Sequence, residues 1–395
     1  MAKPKLALIP ATQGSKLYSV LPADGVGDFT FSRGSAATRI NKDGLIETVA
    51  SGVSRLNYPL IDGVVNGCPS HLLEPTRSNL IPYSEDFSQT TWQKQSAGVA
   101  SAPIVTSNYA ISPDGTLNAD RVIFDINGGT TSSDFSQLTD PVSTNIGDVT
   151  SSIWIKSNTS SNYNMSFVDP TGNYVSIVVT TEWQRFYVTS TTVSSTSSIK
   201  LRLRGNESTS DYADMSLWGA QLEQGSYPTS YIPTSGSATT RSAETANGAG
   251  DASTFNSSDG VLMAEFKSLD SSDTSGRRLG ITKDGTYEGL RLQLGSGNIS
   301  VTVYDGATNQ YSQTVNLDNS IFHKVALKYK ANDFALWIDG IEYFPQSSGS
   351  TFVNGTLNDI SFDYVGANHF HSSTKQIQYF DSVLTDAELQ TLTTI

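Results

Sequence analysis

Leu217-Trp218-Gly219-Ala220-Gln221-Leu222-Glu223-Gln224-Gly225, followed by Tyr231-Ile232-Pro233-Thr234, is the stretch around which the chain is organised. It begins as an apolar strand, breaks at Gly225 and Pro228, returns at Tyr231-Ile232, and runs out into Ser235-Gly236-Ser237-Ala238-Thr239-Thr240. Apolar runs flanked by Gly, Pro and Ser read as strands that stop where backbone pairing stops. The stretch predicts the closing strand of one β domain, its exit, and a tether to the next. Four segments follow: a β-rich attachment or oligomerisation region over residues 1–80, a jelly roll over 81–237, a Ser/Thr/Gly linker over 238–250, and a second sandwich over 251–395.

Upstream of that stretch, alternation is clean. In Ser152-Ile153-Trp154-Ile155-Lys156 the isoleucines share one face and Trp154 takes the other. Val175, Ile177 and Val179 point together, and in Ile199-Lys200-Leu201-Arg202-Leu203-Arg204 the aliphatics face in and three cations face out. Strands that are apolar inside and polar outside indicate antiparallel sheets with one solvated face. Many such strands joined by Gly, Pro, Ser and Asn turns favour a sandwich or jelly roll.

Downstream, Val261–Phe266, Leu290–Leu294, Ile299–Tyr304, Val325–Tyr329 and Phe334–Ile338 are expected strands, and Asp339-Gly340 is a hairpin signal. Leu384 to Leu392 is the one expected helix, with Thr385 and Glu388 at capping-box spacing. In the first 80 residues, Phe29-Thr30-Phe31-Ser32-Arg33 is an alternating strand with two rings on one face, followed by a partner at Leu45-Ile46-Glu47-Thr48-Val49. That region holds too little core to stand alone and needs a neighbouring domain or subunit to cover its rings.

Length and composition agree with this division. A chain of 395 residues exceeds the roughly 250–300 at which single cores stop growing. Charged residues make up only 16%, with polarity supplied by Ser, Thr, Asn and Gly, which suit strand faces and turns and form helices weakly. The fold class read from this is all-β, with two antiparallel sandwiches and one short C-terminal helix. The formal net charge of −13 repels nucleic acid and anionic membranes at long range. One cysteine, Cys68, excludes an intrachain disulfide and a thiolate zinc site. The first ten residues carry an apolar run too short for a secretion signal, and no run approaches the length of a membrane span. The expectation is a protein made in a cytoplasm whose composition nonetheless suits an exposed surface.

The segment Leu72-Leu73-Glu74-Pro75-Thr76-Arg77-Ser78-Asn79-Leu80-Ile81-Pro82-Tyr83-Ser84-Glu85-Asp86-Phe87, with Trp92, resembles a signature of bacteriophage virion proteins of the tail-fibre kind. Leu17-Tyr18-Ser19-Val20-Leu21-Pro22, Phe29 to Arg33 and Ala37-Thr38-Arg39 share the resemblance. The middle third is similar to cellulase-associated carbohydrate-binding jelly rolls through Asn79-Leu80, Phe87, Trp92, Trp154-Ile155-Lys156, Glu182-Trp183-Gln184-Arg185 and Trp218 to Glu223. The last third resembles laminin-G or concanavalin-like modules through Trp337-Ile338-Asp339-Gly340 and Tyr379-Phe380-Asp381 to Leu392. These resemblances imply a virion location, a homotrimer, other virion proteins as partners, and adhesion to host surface glycan. A capsid decoration or connector without ligand is the alternative, and a polysaccharide-degrading enzyme a third reading.

Glycan binding needs flat apolar surface for sugar C–H faces and planar polar groups for hydroxyls. Trp154, Tyr187, Arg202 and Arg204 on the polar face of the first sandwich are the candidates, and that same face could instead pack on the lead-in or on another subunit. Trp337 is either a sugar platform or core. A structural calcium would draw on Asp270, Asp273, Asp284 and Asp305, though no EF-hand spacing is present. His369 and His371 lie on one strand face without a third metal ligand nearby in sequence. No other cofactor is expected. For catalysis, a retaining glycosidase needs two carboxylates roughly 5–5.5 Å apart. No strand carries an acidic pair at i and i+2, and Glu265 and Asp363 stand alone on theirs. No nucleophile elbow or phosphate loop occurs. No catalytic residue is assigned.

Overall fold

Strand Tyr212–Gln224, the last of its sandwich in sequence, is the middle strand in space. Its five-stranded antiparallel sheet runs in the order Ser101–Ile111, Leu117–Asp125, Tyr212–Gln224, Gly147–Ser157, Gln184–Val193. A second antiparallel sheet faces it in the order Gln93–Ala97, Phe135–Ser143, Thr196–Arg204, Tyr163–Val168, Tyr174–Val179. The computed structural model describes residues 2–9, 12–13, 16–61, 63–143, 147–169, 171–193, 196–283, 286–306 and 308–395. Within them the chain is all-β apart from one helix, Asp386–Thr393. No described helix is long and apolar enough to cross a membrane.

The side-chain period of two sorts residues as expected. Ile153, Ile155, Ile177, Val179, Ile199, Leu201 and Leu203 fill the space between the two sheets with Phe87, Trp92 and Phe167. Val175, expected to point with Ile177 and Val179, is exposed on its edge strand.

The second sandwich pairs an eight-stranded with a five-stranded antiparallel sheet. All five strands expected there form: Asp259–Ser268, Gly289–Gly295, Asn298–Asp305, His323–Lys330 and Phe334–Ile338. Asp339 and Gly340 both adopt positive φ, 52° and 81°, and pair Ile338 with Ile341 across a two-residue turn. That backbone twist matches the right-handed twist of the strands it joins. The helix begins at Thr385, whose hydroxyl accepts from the Glu388 N–H while the Glu388 side chain returns to the Thr385 backbone. Its Leu389 and Leu392 pack with Val261, Met263, Ala335 and Phe380 on the outer face of the larger sheet.

The lead-in is interleaved with both sandwiches. Leu6–Leu8 pairs with Ile377 to Tyr379, and His71 and Leu72 pair with Thr374 and Ser373, so both extend the larger sheet beyond strand Ser372–Phe380. Phe29 and Phe31 lie in the core of the second sandwich with Leu6, Leu8 and Leu17. The rings that needed a cover therefore find it within the same chain. Within 238–250, Thr239–Arg241 pairs with Arg77–Asn79, and Thr245–Asn247 pairs with Phe29–Ser32. Hairpin Ala37–Ile40 and Ile46–Val49 lies on the outer face of the first sandwich, with Ile46 against Trp218 and Tyr231.

Candidate functional site

The organising stretch carries its own staple. Trp154 pairs with Trp218, whereas Ser152 pairs with Gln221, so Gly219 and Ala220 together oppose the single residue Ile153. Gly219 adopts φ +64° in this bulge, a conformation suited to glycine. A Cβ at Gly219 would come within 3.0 Å of the Trp154 ring and 3.4 Å of Tyr231. The missing side chain lets Trp154, Trp218 and Tyr231 close into a triad, with ring centroids 4.5–5.7 Å apart.

Polar side chains then fasten the exit to this strand. Buried Asn79 donates to Ala220 O and Ile232 O and accepts from the backbone N–H of Leu222 and Ile81. Buried Gln221 accepts from Ile232 N–H, and buried Glu223 accepts from the N–H and hydroxyl of Thr229. These motif residues hold the fold together.

Beneath the exit lies a buried ion cluster drawn from the lead-in and from residues 238–250. Arg55, with no exposed surface, donates to Glu244 Oε1 at 2.8 Å, Glu74 Oε2 at 2.8 Å, Thr38 O at 2.7 Å and Ser230 Oγ at 2.7 Å, and also binds Glu244 Oε2. Arg33 reaches Glu244 at 2.7 Å and Arg241 reaches Glu74 at 2.8 Å. Burial alone would raise both carboxyls. For Glu74 the Arg241 and Arg55 guanidiniums outweigh it, and for Glu244 Arg55 does, so both stay below the usual carboxylate range. For Arg33 burial wins over Glu244 and lowers its pKa.

Above this cluster opens a cleft of about 320 Å³ between the hairpin, the outer face of the first sandwich, the exit and the second sandwich. Its walls include Arg39, Asn57, Trp154, Arg185, Tyr231 and Lys267. Cross-strand pairing sets Arg185 directly opposite Trp154. The guanidinium lies 4.3 Å from the ring centroid, donating to Thr229 O at 2.7 Å and Ser152 Oγ at 2.9 Å. Withdrawal from water lowers its pKa to about 10, against the pull of Glu223 and Glu74.

Of the residues expected at a site, only Trp154 lines this cleft. Tyr187 shares the strand of Arg185 and is 58% exposed, outside the cleft. Arg202 and Arg204 belong to the opposite sheet and do not share a surface with Trp154. Arg202 is bound to Glu207, and Arg204 lies 3.5 Å from the same carboxylate. Trp337 is 6% exposed, packed with the leucines of the C-terminal helix, so its ring is core of a second, smaller cluster. Alternation fixes only the face of Arg185: with Val188 inward, it points away from the core as Trp154 does, and the register between the two strands sets it opposite Trp154.

The acidic calcium candidates are scattered. Asp270 accepts from Ser226 and Ser272, Asp273 sits 3.4 Å from Arg277, Asp305 accepts from Ser350, and Asp284 lies outside the described residues. Among the described residues no three His, Cys, Asp or Glu side chains form a metal-holding group. His369 and His371 have ring centroids 5.7 Å apart, and burial lowers the His371 pKa to about 4. Cys68 is exposed.

No protein-family model matches the chain. No curated protein matches it. Among solved structures it is similar to the carbohydrate-binding module CBM40 of Ruminococcus gnavus IT-sialidase bound to α2,3-sialyllactose, at 19% identity over 35% of this chain and 84% of that one, with a TM-score of 0.31. It is also similar to domain 4 of AbnA, a GH43 extracellular arabinanase from Geobacillus stearothermophilus, in complex with arabinotriose, at 10% identity, 38% and 73% coverage and a TM-score of 0.29. The botulinum neurotoxin type G receptor-binding domain follows at 11% identity, 38% and 41% coverage and a TM-score of 0.29. Each of the three is alike over little more than a third of this chain.

Proposed function

We propose that the chain is a non-catalytic adhesion protein of a bacteriophage particle, holding glycan of the host surface in the cleft between its two sandwiches. The cleft carries this reading. At about 320 Å³ it is at the small end of ligand sites, which run from roughly 300 to 1,000 Å³, and suits the end of a chain of sugars. Its groups are the hydrogen-bonding kind that sugar hydroxyls use: Arg39, Asn57 and Arg185. Trp154 serves differently from the sugar platform expected of it. Arg185 lies over the Trp154 ring, while Trp218 and Tyr231 pack against it, so Trp154 positions the guanidinium.

Placement on a phage particle, as a tail fibre, spike or head appendage, is supported by the resemblance of Leu72 to Phe87. Homotrimerisation and other virion proteins as partners follow from the same resemblance. Copy number on a particle would multiply weak single-site contacts. A glycan array probed with the intact chain tests adhesion, with binding to some bacterial surface polysaccharide expected. A blank array across host polysaccharides would overturn the adhesive reading. Immunogold labelling of purified particles tests the location, and an unlabelled particle would end it.

A connector without ligand is the second reading, and one observation favours it. Of the three aromatics that reading expects to be covered, Trp337 is buried under the C-terminal helix and Trp154 is half-buried by parts of the same chain, whereas Tyr187 stays exposed.

A further inference from the structure

The cleft holds an excess of positive charge that the rest of the molecule does not explain. The chain has 38 acidic and 25 basic residues, so its surface as a whole repels anions. Yet three cations, Arg39, Arg185 and Lys267, stand on the cleft walls. The carboxylates that could neutralise them are already engaged. Glu47 binds Arg39 at 2.6 Å. Glu74, the one acid on the cleft wall, is claimed by Arg55, Arg241 and Ser230. Glu223 is held by Thr229 and Gln221, with Arg77 at 3.8 Å.

Arg185 and Lys267 are left over. Among the described residues neither has a carboxylate within ion-pair distance. Arg185 uses two of its five N–H donors in hydrogen bonds, both to neutral oxygens. Lys267 lies 5.3 Å from the Phe322 ring centroid, and its neighbour Lys375 repels it while binding Glu265 at 3.1 Å. A cation partly withdrawn from water without a counter-charge is costly, and an anion arriving at the site removes that cost. The Arg185 fork is also fixed in place by Trp154, Thr229 and Ser152, so little side-chain freedom is lost on binding.

Building on the adhesive reading above, we infer that this cleft selects an acidic saccharide, with the sugar carboxylate received by Arg185 and Lys267 and a neighbouring hydroxyl by the Asn57 side chain. A planar guanidinium fork matches a planar carboxylate through two parallel N–H···O bonds. A neutral sugar gains only hydroxyl contacts and leaves both cations uncompensated. The selectivity follows from charge compensation in a partly desolvated site, so it weakens as salt is added.

The test is an array of bacterial surface polysaccharides, each printed in its native form and after chemical reduction of its carboxyl groups to alcohols, probed with the intact chain. The expected result is that bound polysaccharides lose at least about tenfold in signal on reduction, and that 0.5 M salt weakens the native signal. Arg185→Gln and Lys267→Gln should each abolish the difference between native and reduced forms. Lys267→Gln guards against Arg185→Gln failing to fold, because the Lys267 ammonium makes no hydrogen bond among the described residues and its backbone pairing opposite Ser373 is untouched by the substitution. Equal binding to native and reduced forms would overturn the inference and leave the adhesive reading standing. Signal lost on removal of phosphate but not on carboxyl reduction would also overturn it, in favour of a phosphate-bearing glycan. A blank array would overturn the adhesive reading and this inference with it.

Discussion

Asn79 shows how much one side chain can hold. It is fully buried and its amide satisfies four backbone groups on three segments: the entry at Ile81, the central strand at Ala220 and Leu222, and the exit at Ile232. Asn79→Ala leaves all four without that partner, and each unsatisfied buried group costs about 1–3 kcal/mol. The expected loss is on the order of 3 kcal/mol or more in chemical denaturation, with the strand content of the folded state unchanged by circular dichroism. Asp140 makes the opposite argument. It is 1% exposed, its Oδ2 has no hydrogen-bond partner, and burial pushes its pKa up to about 6. In the unfolded chain an aspartate ionises near pH 4. The raised folded value means that this group begins to cost stability as pH climbs past about 4, and the cost is complete above about 6. Asp140→Asn should therefore stabilise by on the order of 1–3 kcal/mol at pH 8 and by almost nothing at pH 4. Thermal melts at the two pH values check this, and an equal gain at both would refute it.

At the scale of elements, the central strand depends on its bulge. If Gly219 counted as an ordinary strand residue instead of being absorbed in a bulge, strict alternation would send either Trp218 or Leu222 to the wrong face of the sheet. With the bulge, Leu217, Ala220 and Leu222 face the core while Trp218, Gln221 and Glu223 face the exit. Gly219→Ala meets two penalties, a positive φ and a Cβ 3.0 Å from the Trp154 ring. The expected destabilisation is about 1–3 kcal/mol, with a changed near-ultraviolet circular dichroism signal from the tryptophans. An unchanged spectrum would show that the triad closes without the glycine. The strands, the Asp339-Gly340 hairpin and the capped helix were legible because each is a local pattern. The bulge was not, since Gly219 reads equally well as an ordinary strand residue until its partner strand is known. Arg185 was legible only in hindsight of pairing: its face follows from alternation, but its place over Trp154 follows from register between two strands.

At the scale of the whole molecule, the three regions are tied by strands and by charge. The strand Ser372–Phe380 has Asp259–Ser268 on one side and, on the other, Leu6–Leu8 and Ser70–Leu72 from the lead-in. Residues 251–395 produced alone would expose that edge and lose Leu6, Leu17, Phe29 and Phe31 from the core. An open apolar edge recruits other chains, so the fragment should self-associate in size-exclusion chromatography and melt below the intact chain. A monomer with unchanged melting temperature would show that the lead-in is dispensable to it. The ion cluster is the second tie. Glu244→Gln leaves Arg33 and Arg55 buried without their main counter-charge, and breaking such a pair costs roughly 3–5 kcal/mol. Because Glu74 and Glu244 are both held below the usual carboxylate range, the stability they supply is present above about pH 4 and is lost as pH falls through their folded values. Acid denaturation of the intact chain and of Glu244→Gln, followed by tryptophan fluorescence, reads this directly: the variant should have the shallower acid limb.

From its residues alone this chain is determined to be pleated, to bury Ile153, Leu201 and Leu217 on one side of their strands, and to end in a capped helix. Those properties belong to neighbours one to four residues apart, where backbone geometry sets the period. Tertiary structure decided what covers each outer face: a helix over Trp337, a guanidinium over Trp154, a lead-in strand beside residues 377–379. Coverage depends on partners tens to hundreds of residues away, and the pleat of a strand carries no information about which of them will arrive.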